Sequence, residues 1–288
     1  MKILVTGGAG FIGSNLIRKL AENEKNEVYC LDNYFTGQVS KQDKKVQYFS
    51  GSTNNIEDLI HFKPDVIYHL GEYSRISTSF EDIDKIWRFN VDGTFEVLQF
   101  CLKHNIKLVY AGSSSIFGNN GEDQHLTPYS WAKCKIVELI KNYGKWYGLD
   151  YAIAYFYNIY GPGQISDGKY ATVIGIFNEQ FKSGKPLTIV KPGTQKRFFT
   201  HVEDAVTGLI KIGESGNGDG YCLCDENSLY SIEEVAKMFS ETVVYLEEQK
   251  GNRKEPVVQN NRCKTELNWK AENKLADYIK YIKGNNKC

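Results

Sequence analysis

Short runs rich in β-branched and aromatic residues alternate with longer stretches of helical periodicity through the first part of the chain. That alternation is the pattern of a parallel sheet covered by helices. The apolar runs predict strands over Lys2–Thr6, Glu27–Asp32, Val46–Phe49, Asp65–Leu70, Leu108–Ser113 and Tyr151–Tyr157. Amphipathic spacing predicts helices over Ile12–Asn23, Ile86–His104 and Tyr129–Tyr147. Val66-Ile67-Tyr68 and Ala152-Ile153-Ala154 are apolar without alternation, as strands buried on both faces require.

Beyond residue 160 the rhythm changes. Gly161-Pro162-Gly163 breaks the chain; a helix is expected over Tyr170–Ser183, a strand over Leu187–Val190 and a turn at Lys191-Pro192-Gly193. The apolar run within Phe198–Ile212 is expected to return to the first domain. The rest reads as polar and loop-rich apart from a helix over Ser231–Ser240, with a frayed end at Gly284–Cys288. The pattern implies an α/β fold: a Rossmann-type doubly wound parallel sheet over 1–160, with a return segment near 197–215. A smaller, mixed α/β domain over 161–288 follows.

Composition narrows the function classes. Lys plus Arg and Asp plus Glu are 35 each, so the net charge of zero leaves no electrostatic footprint for nucleic acid or an anionic membrane. The seven cysteines are odd in number and form no framework, which suits free thiols in a reducing compartment. Cys222 and Cys224 lack a second pair at zinc spacing, so they read as two residues on one strand face and no metal site is expected. Ile3-Leu4-Val5 is too short for a signal-peptide core, and no apolar run reaches about 18 residues. A cytoplasmic location without membrane association is expected.

The first predicted strand runs into Thr6-Gly7-Gly8-Ala9-Gly10-Phe11-Ile12-Gly13. Gly7, Gly10 and Gly13 suit a tight strand-to-helix turn, close approach of backbone to a pyrophosphate, and close packing of helix on strand. The helix N-terminus then offers free N–H groups to phosphates. The second predicted strand ends in Asp32-Asn33, with Asp32 about 20 residues beyond Gly13, where a carboxylate accepts from ribose hydroxyls and repels a 2′-phosphate. The cofactor expected is NAD, held by Gly7, Gly10, Phe11, Ile12, Gly13, Asp32 and Asn33.

Tyr129 and Lys133 form Tyr-x-x-x-Lys behind Pro128, which suits a helix start. Positions i and i+4 share a helix face, and an ammonium beside a phenol stabilises the phenolate, so Tyr129 is a candidate general base. Upstream, a predicted strand ends in Gly112-Ser113-Ser114-Ser115, and doubly wound folds bind ligands at the C-terminal ends of strands.

With these motifs in order, the chain resembles the extended short-chain dehydrogenase/reductases, in the nucleotide-sugar epimerase/dehydratase branch typified by UDP-glucose 4-epimerase. The matching segments are TGGAGFIG (6–13), LDNYFTG (31–37), HL (69–70), NVDGT (90–94), GSSSIFG (112–118), PYSWAK (128–133), NIYGPG (158–163), RFFTHVED (197–204) and the tail around Arg253 and Asn268-Trp269. The resemblance implies that Ser113, with Ser114 beside it, holds the sugar O4. It makes Tyr129 the base, and it has Lys133 bind the nicotinamide ribose. Asn90 is implied as structural, and Asn158, Arg197 and Arg253 as holding the nucleotide diphosphate of a UDP- or GDP-linked sugar. A homodimer through the helices 86–104 and 129–147 is also implied.

Departures from the family pattern are equally visible. Gly51-Ser52 stands for Gly-Asp, Gly71-Glu72 for two alanines, Arg197-Phe198-Phe199 for Arg-Asp-Phe, and Phe117 for a tyrosine. A 4,6-dehydratase needs an acid and a base beyond the tyrosine, commonly with a carboxylate just after the catalytic hydroxyl. Ser114 and Ser115 occupy those positions here, which favours a 4-epimerase. Glu72 and Glu122 leave a dehydratase open, and a 4-dehydrogenase or 4-keto reductase is the third option. Members that bind nucleotide without turnover carry a damaged glycine loop or lack Tyr or Lys, and all of these are intact here.

Overall fold

The computed structural model describes residues 1–251, 256–259 and 261–285. Seven strands form one parallel sheet: β1 (Lys2–Thr6), β2 (Glu27–Asp32), β3 (Gln47–Ser50), β4 (Val66–His69), β5 (Lys107–Ser113), β6 (Tyr151–Phe156) and β7 (Gly218–Leu223). Their order is β7-β6-β5-β4-β1-β2-β3, so the chain reverses direction across the sheet between β1 and β4. Doubly wound sheets bind ligands at that switch point, at the C-terminal strand ends.

Period-two alternation divides the core into two layers. Leu4, Ile67, Leu108 and Ile153 face one side, against Val97, Leu98, Ile136 and Ile140 of the helices Gly93–His104 and Pro128–Tyr147. Ile3, Val5, Val66 and Val109 face the other, against Leu16, Ile17, Leu209 and Ile212 of the helices Phe11–Ala21 and Val202–Ser215. Cys222 and Cys224 both join the first layer.

Three readings are corrected. The stretch taken as loop-rich contributes β7, paired in parallel with β6. Its polar start, Gly218-Asp219-Gly220, hides the apolar Tyr221-Cys222-Leu223 behind it. A helix over Leu275–Asn285, not expected from the sequence, packs Leu275 and Ile279 against Val235 and Phe239 and takes in Gly284 and Asn285 of the end expected to fray, whose residues 286–288 lie outside the described residues. The predicted helix over 86–104 begins at Ile83 and is wound as a π-helix through Trp87–Asp92.

A polar knot around Trp269 helps to bind the tail to the sheet layers. Trp269 is buried and its Nε1–H donates to the Asp204 carbonyl at 3.0 Å. The Asp204 carboxylate accepts from the backbone N–H and the side-chain amide of Asn273, each at 2.9 Å. Helix 202–215 comes so close to Trp269 that a Cβ at Gly208 would sit 3.0 Å from its Nε1. Trp269→Ala is therefore expected to lower the unfolding free energy by about 3–5 kcal/mol, read by urea denaturation.

Candidate active site

The turn after β1 is built from glycines that sterics demand. Gly7 has φ +70°, and a Cβ there would lie 2.8 Å from the Gly71 backbone. A Cβ at Gly13 would lie 2.2 Å from the Gly7 carbonyl oxygen, so only glycine lets the helix start this close to the strand. Gly10 is the N-cap of that helix and uses no side chain, which leaves the first-turn N–H groups to a ligand. Asp32 closes the far side: its carboxylate accepts from the N–H of Ala9 and of Tyr34, both at 2.8 Å. Burial raises the Asp32 carboxyl above the usual range, with those two bonds acting against it.

A cavity of about 520 Å³ opens from this turn and runs to the ends of β4 and β5. Gly7, Gly10, Phe11, Ile12, Gly13, Asp32 and Asn33 line one end. Ser113, Ser114, Tyr129, Lys133, Asn158 and Arg197 line the rest. The residues picked from sequence thus converge on one space, except Arg253, which lies outside the described residues.

Local chemistry explains each placement. Thr127 caps the helix Pro128–Tyr147 by accepting from the Ser130 N–H at 3.0 Å, and Pro128 opens its first turn. Tyr129 and Lys133 then follow on one face. Among the described residues nothing bonds to the Tyr129 phenol oxygen. Ser113 ends β5; its hydroxyl lies 2.9 Å from that of Ser115 and accepts the Ser115 N–H at 3.2 Å. Asn158 sits at φ +40° and donates to the Phe198 carbonyl at 2.8 Å. Arg197 donates to the Lys196 carbonyl at 2.6 Å. Asn90, fully buried in the π-helical turn, accepts from the Tyr73 N–H at 2.7 Å and donates to the Tyr73 carbonyl at 3.0 Å, pinning the loop after β4.

The sequence marked Glu72 as a departure from the family pattern and as a carboxylate that left a dehydratase open, without naming its partner. Glu72 and Lys133 form an ion pair whose side chains are 2% and 4% exposed. Lys133 also donates to the Ala111 carbonyl at 2.6 Å and the Tyr110 hydroxyl at 3.2 Å. Glu72 accepts from Thr94 and from Tyr110, each at 3.0 Å. The donors run in one direction. The Gly71 N–H bonds Thr6 Oγ1 at 3.0 Å, and Thr6 lies 2.7 Å from His69 Nδ1. His69 Nε2 lies 2.9 Å from Thr94, whose own proton goes to Glu72. Thr94 must then accept from His69, which assigns the Nε2–H tautomer and makes Nδ1 the acceptor for Thr6. Glu72's partner is remote in sequence, and only strand register brings them together: Thr6 pairs with His69, and His69 with Tyr110. Arg75 was also missed. It lines the cavity, donates to the Tyr170 carbonyl at 2.6 Å, and is lowered in pKa by burial.

This arrangement suits a dinucleotide: a glycine turn at a helix start, a carboxylate one strand over, and a lysine at the far end. The chain was compared with known proteins. The family model described as "NAD dependent epimerase/dehydratase family" matches residues 3–223. UDP-glucuronic acid decarboxylase 3 of Arabidopsis thaliana is 33% identical over 260 residues, covering 84% of this chain and 75% of that protein. A UDP-glucuronic acid 4-epimerase from Bacillus cereus, solved with UDP-glucuronic acid and NAD, superposes with TM-score 0.87 at 27% identity, covering 99% of this chain and 100% of that one. DesIV, a dTDP-glucose 4,6-dehydratase from Streptomyces venezuelae solved with NAD and TYD, superposes with TM-score 0.90 at 22% identity, covering 99% and 98%. Three different reactions are thus represented among similar proteins.

Burial lowers the His69 pKa to about 4, from 6.5. Between those values the unfolded chain takes up a proton at residue 69 that the folded chain refuses, so this group's share of stability is lost as pH falls through that window. NMR of the imidazole nitrogens is expected to show His69 neutral, with its proton on Nε2, at about pH 5.

Proposed function

The chain belongs to the NAD-dependent epimerase/dehydratase family, and on that premise we propose that it is a nucleotide-sugar 4-epimerase acting on a UDP- or GDP-linked sugar. NAD, when bound, accepts hydride from the sugar C4 and later gives it back. Tyr129 takes the O4 proton as that hydride leaves, and Ser113, oriented by Ser115, holds O4. Lys133 binds the nicotinamide ribose. Asn158 and Arg197 hold the diphosphate, Arg197 by the planar fork that suits it. The smaller unit, formed after residue 160 by the segments outside the returning 202–223, carries the sugar side of the site. The 4-keto sugar turns over, and the hydride returns to its other face.

One observation carries the choice of reaction. Among the described residues lining the cavity, the carboxylates are Asp32 and Glu72. Asp32 is engaged at the cofactor turn, and Glu72 is held by Lys133, Tyr110 and Thr94. Ser114 and Ser115 follow the catalytic hydroxyl, and Glu122 is exposed outside the cavity. Among the described residues neither a free acid for a C6 hydroxyl nor a free carboxylate base for a C5 proton lines the site, which favours the epimerase over the elimination of a 4,6-dehydratase.

The test is NMR of the protein with NAD and a panel of UDP- and GDP-sugars that includes UDP-glucuronic acid. A C4 epimer without net NADH supports the proposal, and Tyr129→Phe is expected to lower its kcat by about 100-fold or more. A 4-keto-6-deoxy product, or a pentose with release of carbon dioxide, would replace the epimerase by a dehydratase or a decarboxylase. Net accumulation of NADH would make it a dehydrogenase.

We also propose a homodimer. Ile83, Trp87 and Phe95 are 58%, 52% and 43% exposed along one helical run, and Trp131 on the helix Pro128–Tyr147 is 39% exposed. The rings of Trp87 and Trp131 stack, centroids 6.4 Å apart and planes at 17°. Such an apolar face on the helix that carries Tyr129 fits a self-complementary interface. Light scattering at micromolar concentration should give twice the chain mass, and Trp87→Glu should give the single chain.

A further inference from the structure

The Lys133 ammonium has three protons, directed at Glu72, at the Ala111 carbonyl and, at the longest distance of 3.2 Å, at the Tyr110 hydroxyl, the contact a ribose hydroxyl would take over. Glu72 is equally committed, with Thr94 and Tyr110 on one oxygen and Lys133 on the other. Both side chains are shut from water, so neither charge is screened by solvent. The alanine usual at position 72 in the resembled family would leave the ammonium without a carboxylate. The other groups packed on the pair are the neutral His69, behind Thr94, and the hydroxyls themselves. Tyr129 and Arg75 line the same cavity.

The oxidised nicotinamide ring carries a positive charge and the reduced ring none. An unpaired buried ammonium near that ring disfavours the oxidised form, whereas a neutral ion pair does not. We propose that Glu72 is the counter-charge of Lys133, a positioning residue that fixes the ammonium and cancels its charge beside the nicotinamide, so that the site favours NAD over NADH. The proposal rests on the reading that Lys133 holds the nicotinamide ribose. It fits a cycle that must end with the cofactor oxidised.

Glu72→Gln keeps the shape and removes the charge. The dissociation constants of NAD and of NADH are to be measured by calorimetry. The ratio Kd(NAD)/Kd(NADH) is expected to rise about 10-fold in E72Q, the effect of one uncancelled charge several ångströms away. E72D, which keeps the charge, should stay near the wild-type ratio. So should the double variant E72Q/K133M, in which both charges are gone. A wild-type ratio in E72Q overturns the proposal, and so does a double variant shifted as far as E72Q. If E72Q does not fold by circular dichroism, a shifted ratio in either E72D or the double variant overturns it instead. The ratio does not depend on which sugar product forms, so this inference and the 4-epimerase reading stand or fall separately.

Discussion

A buried ammonium must be met by fixed partners, because no water is present to solvate it. That requirement at Lys133 governs much of the site. The lysine leaves helix Pro128–Tyr147 and reaches under the ends of β4 and β5, where Ala111, Tyr110 and Glu72 receive it. Glu72 in turn needs donors, and the row Thr6, His69, Tyr110 across three parallel strands supplies or relays them. The glycine turn after β1 and the helix Pro128–Tyr147, far apart in the chain, are therefore coupled through one polar row. Gly71 belongs to the same arrangement: its N–H starts the row at Thr6, and a Cβ there would sit 3.0 Å from Thr6 Oγ1. The two departures at 71 and 72 are thus one change, a small residue to let the backbone approach and an acid to receive the lysine.

What was legible in the sequence was what is local. Strand-to-helix turns, a helix cap and an i, i+4 pair are written in neighbouring residues, so Gly7, Asp32, Tyr129 and Lys133 could be picked out from spacing alone. β1 and β2 fell on their observed limits for the same reason. Partnerships across strands were not legible. Glu72 stood out as an oddity, but its contact with Lys133 follows from register, which no spacing encodes. Arg75 gave no signal at all. β7 was missed because its first three residues, Gly218-Asp219-Gly220, look like a turn, and only its apolar second half belongs to the core. The π-helical turn that buries Asn90 escaped because helical periodicity averages over a single wide turn.

The small unit shows how a fold of this type separates chemistry from recognition. Its own core, around Phe177, Ile189, Phe239 and Ile279, shares no residue with the two layers of the sheet. Part of the cavity wall comes from segments such as 158–174 and 249–251, whereas Tyr129, Lys133 and the glycine turn sit on the sheet and its helices. Changes in the first group can alter what is bound while leaving the second group in place.

β7 also bears on how the molecule can be made and cut. The strand that covers β6 is supplied from beyond residue 217, and the Trp269 knot fastens that stretch to helix 202–215. A fragment ending near residue 160 would leave Tyr155 and its neighbours as a bare sheet edge, a template for pairing with other copies. During synthesis the same edge is uncovered until the last third of the chain has emerged, so the nascent protein passes through an interval in which sticking to itself competes with completing the sheet.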